Sequence, residues 1–328
     1  MRALKEQDTP PAASALTRRV AVLVPCYNEE AAIAQVVEQF RAAIPGAVVH
    51  VYDNNSKDRT REVARAAGAI VGNEARQGKG HVVRRMFADV EADIYLLVDG
   101  DATYDAPSAP KMIEKLIDEN LDMVVGCRVE MGHESYRRGH RFGNRLFTGF
   151  VAHVFGRSFH DILSGYRVFS RRFVKSFPAL STGFEIETEL TVHALELGMP
   201  VGEVQTPYFA RPEGSESKLN TWRDGFRILW TIFNLYRGER PLQFFGLLAC
   251  IFALLSVLLA TPVVVTYLEQ GTVPRLPTAI LAMGMMMLAF LSLASGLILD
   301  TVTRGRRELK RLAYLSHRAP FGGERRAD

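Results

Sequence analysis

Two stretches of the 328-residue chain, residues 242 to 268 and 276 to 299, contain no Asp, Glu, Lys or Arg, and nothing else constrains the fold as strongly. A helix rises about 1.5 Å per residue and a hydrocarbon core is about 30 Å thick, so 27 and 24 uncharged residues are each enough to cross it. Residues 269 to 275 between them have room only for a turn, which predicts a two-helix transmembrane hairpin over 241–300 with both ends on one side. Arg237 and Arg240 precede the first run. Arg304, Arg306, Arg307, Lys310 and Arg311 follow the second, and this excess of positive charge predicts an integral protein of the cytoplasmic membrane with both termini in the cytoplasm. Pro262 predicts a kink in the first span.

Leu219, Trp222, Phe226, Leu229, Phe233 and Tyr236 share one helical face, with Arg223, Arg227 and Asn234 elsewhere. That pattern predicts an amphipathic helix lying in the bilayer interface over 219–240. Residues 1–19 are polar and rich in Pro and Ala, unlike a secretory signal, and are expected to form a flexible tail. Residues 301–328 are expected to form a basic cytoplasmic tail. The net charge is only +4, but 32 of the 40 basic residues are Arg, whose forked guanidinium suits phosphate. Anionic lipid and phosphorylated substrates therefore suit this chain. No zinc-finger spacing or aromatic-rich RNA motif supports nucleic acid as a partner. Cys26, Cys127 and Cys250 have neither metal nor redox spacing and read as buried free thiols.

Between residues 20 and 218 the pattern is that of an α/β domain. VAVLVP at 20–25 is a continuous apolar run, the mark of a strand buried on both faces, and Ile33, Val36, Val37, Phe40 and Ile44 follow at helical spacing. The alternation continues through strand 48–53, helix 60–67, strand 69–71, helix 79–90, strand 94–98, helix 108–119 and strand 122–127. Residues 137–200 read as helical and less regular, before a strand at 201–208. Repeated βαβ units predict a mostly parallel sheet that binds its ligand at the carboxyl ends of the strands.

Three strand ends carry polar groups: Pro25-Cys26-Tyr27-Asn28-Glu29-Glu30, Asp53-Asn54-Asn55-Ser56-Lys57-Asp58 and Asp99-Gly100-Asp101. Two carboxylates flanking a small residue suit a hard dication, Mg²⁺ or Mn²⁺, held against a diphosphate. Gln77-Gly78-Lys79-Gly80 opens a helix and offers backbone N–H groups to a phosphate, with helix capping an equal reading of Gly80. It is not a P-loop, since Gly80 stands where Ser or Thr belongs, and the absence of G-x-G-x-x-G removes the main evidence for a dinucleotide-dependent dehydrogenase.

In this order, the residues resemble family 2 glycosyltransferases of the GT-A fold, in the branch of dolichyl-phosphate mannose synthase and bacterial polyprenyl-phosphate glycosyltransferases. The resemblance covers residues 20 to about 240. It rests on PCYNEE at 25–30, DNNSKDRT at 53–60, GKG at 78–80, DGD at 99–101, Gly126-Cys127-Arg128, RRGHRFGN at 137–144, DILSGYR at 161–167 and RPEGSESKL at 211–219. It implies that Pro25, Tyr27 and Glu29 border the base and ribose and that Asp53 and Asn54 meet the base. Lys79, Asp99 and Gly100 would lie along the nucleotide sugar, with Asp101 on the metal. Arg128, Arg211 and Lys218 would approach the donor diphosphate or the acceptor phosphate, and Asp161 and Arg167 would line the sugar and acceptor side. Arg137, Arg138 and Arg141 guide the acceptor phosphate in one reading and form a solvated helix face in the other. Two positions depart from the pattern: Asn54 replaces a frequent Asp, and Thr103 replaces a Gln that ligates metal in some synthases. Glu185, Glu187 and Glu189 read as mainly structural, with Glu187 pointing inward.

The resemblance implies an inverting transfer of one sugar from a UDP- or GDP-hexose to a polyprenyl phosphate, with a homo-oligomer the expected assembly. A lipid monophosphate is largely dianionic at neutral pH and needs little deprotonation, so Asp161 is either a base or an orienting group. A processive polysaccharide synthase would carry Q-x-x-R-W and more spans. A catalytically silent membrane-tethered nucleotide-sugar binder is the other alternative, and two spans without internal charge do not make a flippase.

Overall fold

The computed structural model describes residues 18–130, 149, 159–183, 185–211, 230, 233–234 and 236–319. The N-terminal segment 1–17, Arg137, Arg138, Arg141, Lys218, most of the helix expected over 219–240 and residues 320–328 lie outside them. The chain forms two compact units, one holding the sheet and the other holding two long helices.

The first unit is built on seven strands: β1 (Val20–Cys26), β2 (Val48–Asp53), β3 (Ile70–Asn73), β4 (Ile94–Leu97), β5 (Met123–Glu130), β6 (Arg167–Ser170) and β7 (Val201–Tyr208). They order as β3-β2-β1-β4-β6-β5-β7. Every pairing is parallel except those of β6, which runs antiparallel between β4 and β5. The helices of this unit are α1 (Ile33–Ala43), α2 (Thr60–Ala66), α3 (Lys79–Asp89), α4 (Ala109–Asp118), α5 (Arg171–Ser176) and α6 (Ile186–Leu197). The apolar stripe seen in the sequence is the one buried: Ile33, Val36, Val37 and Phe40 of α1 pack with Met112, Ile113 and Leu116 of α4 against Val22, Val24, Leu96 and Val124 of the sheet.

β6 lies within the segment expected to be helical. It has only four residues, and Arg167 at its head is wholly buried, so apolar periodicity carries no trace of it. Sheet order also fixes where a ligand can sit. From β1 the chain builds outward to β2 and β3, then returns to place β4 on the other side of β1, so the order reverses between β1 and β4. Their carboxyl ends lie side by side: Val98 N–H donates to Leu23 O at 3.0 Å, and a Cβ on Gly100 would come within 2.5 Å of Cys26 Sγ. Gly100 therefore lets the Asp99–Asp101 turn lie flat against β1.

The second unit contains α7 (Pro241–Gln270) and α8 (Leu276–Leu315), joined through Gly271, whose φ of +68° closes α7 in the left-handed conformation glycine favours. Buried residues recur every seventh position: Ala249, Ser256 and Val263 on α7, and Ala282, Ala289, Gly296 and Thr303 on α8. Small residues at heptad spacing let two helices pack closely along a shallow crossing. Ser256 Oγ donates to Ala282 O at 2.6 Å. At the open end, buried Glu239 binds Arg306 and Arg307 at 3.1 and 3.0 Å.

Only 17% of the most apolar stretch of each helix is buried, and Leu254, Leu258, Leu268, Phe290 and Ile298 project outward. An apolar surface this large, with each Leu costing about 1.5–3 kcal/mol in water, points to membrane association. Two expectations change here. α8 continues as helix through the basic stretch to Leu315, so the first half of the expected tail is helical. Cys250 is exposed on α7, whereas Cys26 and Cys127 are buried. The helix of α7 is continuous through Pro262.

A Cβ on Gly296 would lie 3.0 Å from Phe245 Cβ, while at Gly284 nothing lies within 4 Å. Gly296→Leu is expected to cost the helix pair about 1–3 kcal/mol, seen as a lower unfolding temperature in detergent micelles, and Gly284→Leu to leave that temperature unlowered.

Candidate active site

The first two strand-end loops are laced together. Asn28, at φ +53°, donates its backbone N–H to Ser56 Oγ at 2.8 Å, and its side-chain oxygen accepts from Lys57 N–H at 2.8 Å. Glu29 N–H donates to Thr60 Oγ1 at 2.9 Å, and the Glu29 carbonyl accepts the first amides of α1. Pro25 is buried in β1, Glu29 is buried, and Tyr27 is half-buried beside it.

Asp53 and Asn54 are both buried and hydrogen-bonded within the protein. Asp53 is wholly buried, accepting from Ser56 N–H and from Arg61 Nε at 2.7 Å. Asn54 donates its amide to Glu74 O at 3.0 Å and Arg76 O at 2.7 Å, and its oxygen accepts from Gly78 N–H at 2.7 Å. The Asn54 side chain thus shapes the 74–78 loop. This accounts for Asn in place of Asp, because a carboxylate would set its charge against two carbonyl oxygens.

The Gly78 and Gly80 amides are also occupied within the protein. Gly80 N–H donates to Thr182 O at 3.2 Å, and a Cβ on Gly78 or Gly80 would come within 2.2 Å of the Thr182 or Ser181 carbonyl oxygen. The two glycines therefore serve close backbone packing rather than a phosphate cradle. Between them Lys79 turns inward to ion-pair with Asp99 at 2.5 Å and with Glu187. Burial alone would lower its pKa, but the two carboxylates outweigh it and hold Lys79 protonated.

After β4 the chain turns sharply: Ala102 has φ +58°, an uncommon conformation for a residue with a side chain and of the kind that gathers at functional sites. Asp101 points inside, accepting from Thr103 Oγ1 and from Arg211, each at 2.7 Å. Burial and then the charge of Asp99 push its carboxyl above the usual carboxylate range. Thr103, which stands where some synthases have a metal-ligating Gln, hydrogen-bonds the Asp101 carboxylate. Phe209 N–H donates to Thr103 O at 2.9 Å, which pins the end of β7 beside this turn and delivers Arg211.

Arg128, near the end of β5, binds both Asp161 oxygens at 2.6 and 2.8 Å and lies over the Tyr208 ring. Tyr104 packs on Tyr208 and Tyr166, with ring centroids 5.3 Å apart in each case, and its hydroxyl accepts from Gly165 N–H. Arg167 is placed differently from expectation. Its guanidinium is wholly buried and donates to Ile162 O, Ser164 O and Thr191 Oγ1, so it braces the 161–166 loop instead of lining the sugar side. Burial pushes its pKa down to about 10.

Four carboxylates (Asp99, Asp101, Asp161 and Glu187) thus meet three cations (Lys79, Arg128 and Arg211) beside the β1/β4 reversal. An anionic ligand can enter by exchanging with the carboxylates on Arg128 and Arg211. Among the described residues no three His, Cys, Asp or Glu side chains converge as a metal site. A hard dication that keeps phosphate oxygens and water in its shell needs only one or two protein carboxylates, so Asp101 beside Asp99 fits Mg²⁺ or Mn²⁺. Spacing did not single out Tyr104 or Tyr208. Glu187 had one signal, its place in an alternating acidic run.

Residues 21–177 match the family described as Glycosyl transferase family 2. Glycosyltransferase AglJ of Haloferax volcanii is 39% identical over 229 residues, covering 69% of this chain and 75% of that protein. The same organism's dolichyl-phosphate hexose transferase is 31% identical over 222 residues, 67% of this chain and 95% of that one. The crystal structure of Mycobacterium tuberculosis glucosyl-3-phosphoglycerate synthase with Mn²⁺, UDP and glucosyl-3-phosphoglycerate superposes with a TM-score of 0.55 at 22% identity, covering 66% of this chain and 80% of that one, which marks a shared GT-A-like fold.

Asn54→Asp is expected to lose about 2–4 kcal/mol of stability, because two donated hydrogen bonds vanish and a charge faces the Glu74 and Arg76 carbonyls. Thermal unfolding of the purified chain measures it.

Proposed function

The chain belongs to glycosyl transferase family 2, and from that premise we propose that it moves one hexose from a UDP- or GDP-sugar to a polyprenyl phosphate at the cytoplasmic face of a membrane. The observation that carries the reading is the charged cluster at the β1/β4 reversal, in a chain that also bears an apolar two-helix hairpin. The dolichyl-phosphate hexose transferase among its relatives supports a lipid phosphate acceptor. The Arg residues near the open end of the hairpin support the cytoplasmic face, each contributing about 1 kcal/mol near an anionic surface.

The reaction is a single in-line displacement. An oxygen of the lipid phosphate attacks the anomeric carbon, the bond from that carbon to the diphosphate oxygen breaks with its electron pair, and the configuration inverts. The nucleophile carries its charge already, so no side chain has to remove a proton. Asp161, with both oxygens bound by Arg128, orients that guanidinium toward phosphate instead of acting as a base. Arg128 and Arg211 stabilise the negative charge that grows on the departing diphosphate. A dication held by Asp101 would neutralise more of that charge. Lys218, Arg137, Arg138 and Arg141 add further cations to the acceptor side in this reading.

The test is transfer of label from UDP- and GDP-sugars into organic-extractable lipid, with undecaprenyl phosphate, Mg²⁺ or Mn²⁺, and an EDTA control. One donor is expected to label lipid, EDTA to abolish the label, and Asp101→Ala to lower the rate by about 100-fold or more with the fold intact. Failure of every donor while nucleotide sugar still binds would leave the silent binder.

A further inference from the structure

The ion-pair network of Lys79 has one open member. The side chains of Lys79 and Glu187 are 10% and 6% exposed, whereas that of Asp99 is 29% exposed. Separate contacts anchor each end. Gly78 and Gly80 press the start of α3 against the 181–182 backbone, and Glu189, in the same turn of α6 as Glu187, accepts from the Leu180 and Ser181 amides at 2.8 and 2.7 Å. Asp99 is confined from the other side as well, because a Cβ on Gly165 would come within 2.6 Å of its Oδ2.

A lysine paired with one carboxylate neutralises it. Shared between two, as here, the ammonium divides its charge between them, and the carboxylate through which a ligand can reach the network is that of Asp99. We propose that Lys79 and Glu187 are positioning residues: they hold Asp99 in one orientation and only half-neutralised, so that its open face accepts hydrogen bonds from hydroxyl groups of the donor hexose. Glu187 touches no substrate and acts through Lys79. This rests on the nucleotide-sugar reading above, and it predicts a division of labour in which Asp99 senses the sugar and not the nucleotide.

The experiment uses the full chain in detergent. Calorimetry compares UDP with UDP-glucose and GDP with GDP-mannose, and label transfer gives kcat and the KM for polyprenyl phosphate. Glu187→Gln keeps the shape but hands the whole ammonium charge to Asp99. It is expected to bind nucleoside diphosphate within about two-fold of the native protein, to lose affinity for the nucleotide sugar, and to lower kcat by on the order of ten-fold at unchanged acceptor KM. Gly165→Ala, which crowds Asp99 from the opposite side, is expected to give the same selective loss. Lys79→Arg, which keeps the charge, should retain more activity than Lys79→Met. A Glu187→Gln protein with native kcat and sugar affinity but a lower unfolding temperature would overturn the proposal, reducing the pair to packing. Equal losses for nucleotide and nucleotide sugar would overturn it too. A native protein that binds the diphosphates but neither nucleotide sugar would sink the donor reading, and this inference with it. A native protein that binds the sugars and transfers none would sink only the acceptor reading, and the affinity comparison would still decide the proposal.

Discussion

A lysine ammonium buried away from water is tolerable only when carboxylates surround it, and that requirement at Lys79 organises the sheet unit's functional end. Two carboxylates must reach it from different parts of the chain, Asp99 from the end of β4 and Glu187 from the first turn of α6. Glycines make the approach possible, because Gly78 and Gly80 admit the 181–182 backbone and Gly165 leaves room for the Asp99 carboxylate. Asn54 holds the loop that leads into Lys79 through three hydrogen bonds. Residues that look like separate motifs in the sequence are thus parts of one electrostatic solution.

The rest of the cluster follows the same logic. Arg128 with Asp161 and Arg211 with Asp101 are pairs in which each charge makes its neighbour's burial affordable. Such pairs contribute little net stability, since desolvation offsets most of the attraction. In the proposed reaction their value would lie in exchange, because a phosphate replacing a carboxylate on Arg128 or Arg211 would trade one ionic hydrogen bond for another. Paired in this way, neither guanidinium is buried without a carboxylate beside it.

The hairpin obeys a different solvent. Where lipid surrounds the helices, apolar burial no longer drives them together, so contact depends on close fit and on polar links. The seven-residue repeat of Ala, Ser, Gly and Thr provides the fit, and Ser256 to Ala282 and Glu239 to Arg306 and Arg307 provide the links. Leucines that would form a core in a soluble protein point outward instead.

Much of this was legible in the residues themselves. Apolar runs located β1 and β4, helical spacing located α1, the βαβ alternation placed β2 and α4, and two uncharged stretches located the hairpin helices, because each of these depends on a local pattern that sequence order preserves. The D-G-D turn and the basic residues were equally visible as chemistry. What tertiary structure alone decided was where side chains spend their hydrogen bonds. Asn54 turned toward a loop, Arg167 toward the carbonyls of its own segment, and Lys79 toward two carboxylates, with Glu187 distant from it in sequence. The antiparallel β6 and the extension of α8 to Leu315 belong to the same class, since neither a short strand headed by a buried arginine nor a charged helix end carries an apolar period of its own. Local patterning determines which elements form, whereas the partner of a buried charge is set by which distant segments the fold brings within hydrogen-bond reach.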